Sequence, residues 1–382
     1  VRKVCVVVGS RANYSSIKSA MQAIEDHADL ELQLVVGASA LLDRYGSSVN
    51  VIERDGFVPV ERVFMLIEGE TPSTMAKSTG LGLLELPTAF ERLNPDIVVT
   101  VGDRFETMAT ALAAAYMNIP LAHTMGGEVS GTIDESIRHA VTKFAHIHFP
   151  ACSEAAERII RLGEPEDTVF NVGCPRIDLV ADVLAHPSNG LEHLFEVGVG
   201  SELDLDAPFA IVSQHSVTTE YSEAEHQIAE TLMAVREVGI PAVVLWPNAD
   251  AGSEEIARGI RKLRERGLDE NMHFFKNLPT ETYIQLMART ACLVGNSSSA
   301  IREGSFIGTP AVNIGTRQTG RQRGTNVIDV PHEGEAIVAA LRQQTEHGRY
   351  PSEPIYGDGS AGERIADVLS TVEPSIQKRI TY

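Results

Sequence analysis

Cysteine is scarce in this 382-residue chain. Cys5, Cys152, Cys174 and Cys292 stand far apart, mostly inside apolar runs, with neither metal-ligand nor disulfide spacing. Thiols placed this way read as buried core residues in a reducing compartment, so a cytoplasmic location is expected. Positive charge is also short: 32 Lys and Arg face 52 Asp and Glu, a net charge of −20. That balance argues against nucleic acid or an anionic membrane as a partner. No apolar run reaches the length of a membrane span, and VRKVCVVVG opens the chain with a strand pattern rather than a signal peptide. The chain starts without methionine, so a few preceding residues are expected. There is no G-x-G-x-x-G and no G-x-x-x-x-G-K-[ST], which leaves neither a dinucleotide fingerprint nor a Walker loop. There is no H-E-x-x-H and no dense carboxylate group with metal spacing, so no metal or other cofactor is expected. Internal repeats and low-complexity tracts are missing too.

What is present is ordinary for a globular protein, with 43% hydrophobic and 22% charged residues. The length allows two domains with proper cores. Strand-like and helix-like patterns alternate throughout, which predicts an α/β fold of two Rossmann-like, doubly wound domains. The first strand, Lys3 to Val8, leads through GSRANYSS to a helix over about 16–26. A helix near 41–55, a strand near Val63, a helix over 72–93, and then HIHFPA, a helix over 154–162 and a strand in TVFNVG continue the series. The Pro-, Gly- and acid-rich segment LAHPSNGLEHLFEVGVGSELDLDAP marks the boundary. The expected domains are 1–185 and 205–361, with a C-terminal helix over 362–382 packing back on the first. A cleft between the two halves is the expected ligand site.

The chain is organised around Asp96 to Ala145. Val98, Val99 and Val101 form a buried parallel strand that stops at Gly102-Asp103-Arg104. A second apolar piece stops at His123, followed by Gly126-Gly127 and Glu128. Thr132 and Glu135 have the spacing of a capping box, and Asp134 and Arg138 fall on one face near the start of that helix. Carboxylates, histidines and arginines thus gather at strand ends, where open α/β sheets bind ligands. The bland reading of such a group is an ion-paired, solvated helix face. In the first turn, Arg11 either meets an anion or is a plain surface residue.

In the second half, the strand ending at Gly295 is followed by Ser297, Ser298 and Ser299 and a short helix containing Glu303. Hydroxyls and free amides there suit a phosphate, and Glu303 suits two ribose hydroxyls. Arg317, Arg321 and Arg323 concentrate positive charge as a diphosphate requires. The alternative is a capping turn followed by a basic surface loop. His215, in Gln214-His215-Ser216 after the strand FAIVS, is either structural or an acid, base or substrate contact. Arg258, Arg261 and Arg264 recur on one helix as a basic ridge, which is either a solvated face or an anion site.

The motifs GSRANYS, LLDRYG, PDIVVTVGDRFE, GGEVSGTIDESIRHAVTKFAH, QHSVTTE, PNADAGS, GNSSSAIRE and GTRQTGR, in that order, cover nearly the whole chain. Together they resemble the UDP-N-acetylglucosamine 2-epimerase family. The likeness is to its hydrolysing branch, which supplies N-acetylmannosamine for sialic acids and includes the epimerase half of the animal bifunctional epimerase/kinase. The resemblance implies a glycosyltransferase-B-like fold and a UDP-sugar substrate in a homodimer or homotetramer. It also implies anti-elimination of UDP through a 2-acetamidoglucal followed by addition of water. It assigns catalytic roles to Asp103, Asp134, Arg138 and His215, with Glu128 as the nearest further carboxylate. It assigns substrate or UDP binding to Arg11, Asn13, Ser15, Arg104, His123, Asn248, Gly295, Ser297, Ser298, Glu303 and Arg317. The animal branch is inhibited by a CMP-activated sialic acid, which makes Arg258 and Arg261 candidate allosteric contacts. Two positions depart from the pattern: Met125 stands where many relatives have a carboxylate, and Asn13 where they often have Asp or Glu. The departures leave room for a diacetamido-trideoxy sugar of a legionaminic-type pathway. A nonhydrolysing epimerase, a glycosyltransferase of the same fold and a non-catalytic sugar-nucleotide binder are the other readings.

Overall fold

Apolar residues on both faces of β1 (Arg2–Val8) decide the first architecture. In the computed structural model, Val4, Val6 and Val8 enter one buried layer, while Cys5 and Val7 enter the other. A strand apolar on both sides must be covered twice, which is the condition for a doubly wound parallel sheet. The structure describes residues 1–43, 46–68, 71–129, 133–187, 190–217, 220–247, 253–276 and 278–381.

The chain divides into two units, one of residues 1–128, 133–179 and 356–382 and the other of residues 129–132 and 180–355. In the first unit β1 is followed by α1 (Arg11–Ser15), α2 (Lys18–Asp26), β2 (Leu30–Gly37), α3 (Ser48–Arg54), β3 (Glu61–Val63) and α4 (Pro72–Leu93). Then come β4 (Ile97–Val101), α5 (Phe105–Tyr116), β5 (Leu121–Thr124), α6 (Ile133–Phe144), β6 (Ile147–Phe149), α7 (Ser153–Arg161) and α8 (Pro175–Ala185), which runs on into the second unit. All pairs in the first sheet are parallel, in the order β3-β2-β1-β4-β5-β6. The order reverses between β1 and β4, so their C-terminal ends form the switch point where such sheets bind ligands.

The second unit contains β7 (Val199–Gly200), β8 (Ala210–Ser213), α9 (Ala224–Val238), β9 (Ala242–Leu245), α10 (Ser253–Glu265), β10 (Met272–Phe275) and α11 (Thr280–Arg289). It continues with β11 (Cys292–Gly295), α12 (Arg302–Ile307), β12 (Ala311–Ile314), β13 (Val327–Val330) and α13 (Gly334–His347). Its order is β13-β12-β11-β8-β9-β10-β7, with only β7 antiparallel to its neighbour among the described residues. The switch point here lies between β8 and β11.

The last helix, α14 (Ala361–Thr371), belongs to the first unit. Ile365, Ala366 and Leu369 join a buried layer with Ile17, Ala20, Met21 and Ile24. The Asp178 carboxylate accepts from the amides of Ala361 (2.9 Å) and Gly362 (2.7 Å), capping the helix start. Arg2 donates to the carbonyls of Leu369 and Val372 at the other end.

Local details differ from expectation in four places. The helix expected near 41–55 is confined to α3, Ser48–Arg54, because Ser47 ahead of it sits in the left-handed region at φ +40°. GSRANYSS is not an open turn: Ser10 accepts from the Asn13 amide and starts α1, an extra helical turn ahead of α2, which itself lies within the helix expected over about 16–26. TVFNVG is not a strand; a single bridge joins Val169 to His148, because β6 is only three residues long and offers little edge to pair with. The C-terminal helix stops at Thr371 rather than running to 382.

Candidate active site

At the first switch point, β4 delivers Gly102, Asp103 and Arg104 just past its end, and β5 delivers Met125 to Glu128. Arg138, on α6, has only 3% of its surface exposed. Its Nη1 donates to the Glu128 carbonyl (2.7 Å) and its Nη2 to an Asp103 carboxylate oxygen. A buried guanidinium must be matched in charge and geometry, and these two acceptors do both. Asp103 keeps a quarter of its side chain exposed, so its other face reaches solvent. Arg138, on the same face of α6 as Asp134, reaches across to Asp103. Asp134 is half-buried in the first turn of α6, and the Glu128 side chain is buried nearby in sequence. Thr132, the expected helix cap, lies outside the described residues.

His123, expected to bind substrate, is fully enclosed within β5. Its Nε2–H donates to the Gly102 carbonyl at 2.7 Å, and its Nδ1 lies 3.4 Å from Thr142 Oγ1. Burial pushes its pKa down to about 3 against the pull of that carbonyl, and nearby positive charge, including Arg138, lowers it further. The ring is therefore neutral near pH 7 and works as a prop under the Gly102-Asp103 turn. Met125 adopts φ +62°, rare for a residue with a Cβ, and packs against the adjoining apolar layer.

The turn after β1 is organised by Asn13, which is buried. Its Oδ1 accepts from the Gly9 amide and its Nδ2 donates to the Val101 carbonyl, both at 3.3 Å, joining the β1 and β4 ends. Ser15 is buried and accepts from Arg176 Nη1 at 3.0 Å. Arg11 is exposed at the start of α1. Arg176, absent from the sequence-based set, brings a second cation to this turn; CPRID gave no periodic or spacing cue for it.

The second switch point is tied by one side chain that sequence reasoning passed over. Asn296 accepts from the His215 amide (2.7 Å) and donates to the His215 carbonyl (2.8 Å), strapping the loop after β8 to the loop after β11. Its own carbonyl accepts from Arg317 Nη1 (3.2 Å) and Gln318 Nε2 (2.8 Å). His215, Arg317 and the serine turn are thus joined through Asn296. The only hint in sequence was its place between Gly295 and the serines. Ser297 and Ser298 are partly exposed, with Ser297 capping a short 3-10 turn, and Glu303 is buried on α12. Gly295 has φ +130°, and a Cβ there would lie 2.2 Å from the Ser213 carbonyl oxygen, so no other residue fits. Arg323 pairs with Asp329, so its charge is matched within the second unit. Asn248 lies outside the described residues.

The basic ridge on α10 is compensated. Arg258 pairs with Glu255 (2.7 Å) and Glu225 (3.8 Å), Arg261 with Glu254 and Arg264 with Asp269 (3.4 Å). Exposed pairs of this kind contribute little to stability, and they offset the excess charge an anion would seek. Among the described residues no group of three or more His, Cys, Asp or Glu side chains could hold a metal ion, and no helix is long and apolar enough to cross a membrane. All four cysteines are buried, and none forms a disulfide among the described residues.

Residues 22–370 match the family described as UDP-N-acetylglucosamine 2-epimerase. The chain is 33% identical over 377 residues to a UDP-N,N'-diacetylbacillosamine 2-epimerase (hydrolyzing) of Legionella pneumophila, covering 97% of this chain and 96% of that protein. It is 32% identical over 332 residues to a GDP/UDP-N,N'-diacetylbacillosamine 2-epimerase (hydrolyzing) of Campylobacter jejuni, covering 86% and 84%. Its fold resembles the crystal structure of UDP-GlcNAc 2-epimerase from Neisseria meningitidis bound to UDP-GlcNAc. The TM-score is 0.79 at 17% identity, over 96% of this chain and 99% of that one.

Proposed function

Because the chain belongs to the UDP-N-acetylglucosamine 2-epimerase family, we propose that it inverts C2 of a UDP-linked 2-acetamido sugar by elimination and hydration, releasing UDP. Asp103 takes the C2 proton, and the C–H electron pair becomes the C1=C2 double bond of a 2-acetamidoglucal. The C1–O bond to UDP breaks at the same stage, and its electron pair leaves with the diphosphate. Water then adds its hydroxyl to C1, and a proton reaches C2 on the opposite face, giving the free epimerised sugar.

The observation that carries this reading is the ion pair of Asp103 with buried Arg138, itself held by the Glu128 carbonyl. The C2 proton is poorly acidic, so its base must be fixed in orientation before the substrate arrives. Glu128, Asp134 and His215 are the remaining groups for proton transfer in the hydration step. Charge grows on the departing diphosphate, which calls for Arg11, Arg104, Arg317 and the hydroxyls of Ser297 and Ser298. Glu303 accepts from the ribose hydroxyls.

For the sugar, two relatives above 30% identity support a diacetamido-trideoxy substrate over UDP-N-acetylglucosamine. This shifts the reading away from the N-acetylmannosamine supply for sialic acid that the sequence first suggests. The apolar Met125 agrees with a changed sugar. The test is incubation in heavy water with UDP-N,N'-diacetylbacillosamine and, separately, UDP-N-acetylglucosamine, followed by NMR. The expected result is preferential release of UDP and the free diacetamido sugar with deuterium at C2. Preference for UDP-N-acetylglucosamine would restore the sialic-acid reading, a product still linked to UDP would make the enzyme nonhydrolysing, and no turnover of either would overturn the proposal.

A further inference from the structure

Glu106 opens α5 three residues beyond Asp103, yet only 3% of it is exposed. Its Oε1 accepts from Arg104 Nε at 3.1 Å, while Arg104 keeps 44% of its side chain exposed. Its Oε2 is buried and has no hydrogen-bond partner among the described residues. The fold makes room for this carboxylate at the first switch point: a Cβ on Gly9 would sit 2.3 Å from Glu106 Cγ and 2.9 Å from its Cβ. Gly9 in turn is tied to Asn13, and Asn13 to the end of β4.

Burying a carboxylate with one oxygen unpaired costs free energy that a methionine or leucine of similar size would not. A partly exposed arginine, by contrast, is free to sample many rotamers unless something holds its head. We propose that Glu106 is a positioning residue that holds the Arg104 guanidinium over the β1/β4 switch point, pre-set to receive the diphosphate of the sugar nucleotide. The contact through Nε fixes the plane of the guanidinium at its stem side. Orientation obtained before binding lowers the entropy lost when the anion docks. Gly9 takes part indirectly, because any side chain there displaces Glu106. The inference rests on the proposed UDP-sugar activity and goes beyond it in naming what holds Arg104.

The test combines calorimetry of UDP with steady-state kinetics on the full chain, for wild type, Glu106→Gln, Arg104→Lys and the double variant. Glu106→Gln keeps the shape and removes the charge; Arg104→Lys keeps the charge and removes the planar Nε–H. Each is expected to weaken UDP about tenfold, the scale of one charge-assisted hydrogen bond, and to lower kcat/KM by at least as much. The double variant should be no weaker than either single one, since both break the same contact. Additive losses, or wild-type UDP affinity in either single variant, would overturn the role. If Glu106→Gln fails to fold, Glu106→Asp takes its place, since it keeps the charge but draws it back from Arg104 Nε, with the same expected loss of UDP affinity. Failure of wild type itself to bind UDP would instead remove the sugar-nucleotide reading on which the inference stands.

Discussion

At the scale of residues, the candidate site is built from side chains that hold other side chains. Arg138 fixes Asp103, His123 props the turn that carries Asp103, and Asn296 fixes His215 and the turn of Arg317. The separation matters for mutagenesis, since a holder and a reacting group fail differently. Asp103→Asn preserves an acceptor for Arg138 and removes only the basic oxygen. Turnover is expected to fall about 10²- to 10⁴-fold, the usual share of a general base, while UDP affinity stays as in wild type. Near-normal release of UDP by Asp103→Asn would take this carboxylate out of the reaction. The residues legible in sequence were those at ends of strongly apolar strands, such as Asp103 and His215. Glu106 and Asn296 were not singled out, because their importance lies in burial and partners rather than in spacing.

At the scale of elements, the two sheets repeat one topology with different chemistry at the switch point. The first brings together charged groups, and the second brings a serine turn and backbone amides. In the second, β8 and β11 run side by side with Gly295 opposite Ser213. Gly295→Ala forces a Cβ into the Ser213 carbonyl at a backbone angle that side chains avoid. The expected cost is about 2–4 kcal/mol of stability, combining backbone strain with overpacking. UDP affinity should fall as well, because the strap from Asn296 to His215 starts at the next residue. Urea unfolding of the variant measures the first effect. A midpoint unchanged from wild type would mean that the β8/β11 approach yields easily. Element positions were largely readable in advance: the helix over 72–93 coincides with the residues expected from periodicity and breakers. The short α1, not expected from the sequence, turned on one serine cap, too local a feature for a periodic signal.

At the scale of the whole molecule, acid sensitivity follows from buried titrating groups in the first unit. His123 titrates near pH 3 instead of 6.5, and burial also lowers His148 and His146. Burial alone would raise Glu164, but hydrogen bonds from His148, Lys143 and Lys378 bring it down to about 2 from 4.5. The signs agree. Below pH 6.5 the unfolded chain takes protons that the buried histidines refuse, so stability falls with pH until about pH 3 is reached. Glu164 adds a further loss as pH drops from about 4.5 towards 2, where the folded carboxylate finally protonates. The expected result is full stability above pH 6.5 and a steadily falling urea midpoint from there to pH 4. His123→Gln, which retains a donor for the Gly102 carbonyl, should flatten that fall by an amount of the order of a few kcal/mol. An unaltered pH slope in this variant would show that His123 does not carry the effect.

Sequence by itself determined the α/β class, the doubly wound architecture and the family. Apolar strands that need cover on both faces admit few other arrangements, and the ordered motifs admit few other families. Tertiary structure decided the pairings. Asp103 and Arg138 are 35 residues apart, His215 and Asn296 are 81 apart, and both pairs meet because of strand order. In the first unit β5, which leads into α6, lies beside β4, and in the second β11 comes to lie beside β8. Local periodicity carries no information about which distant strands become neighbours, because that choice is made by packing whole layers. The same packing turned His123 inward as a neutral prop and placed Glu106 beneath Gly9. Burial and partnership, unlike strand and helix, are properties of the assembled layers, and no stretch of sequence holds them alone.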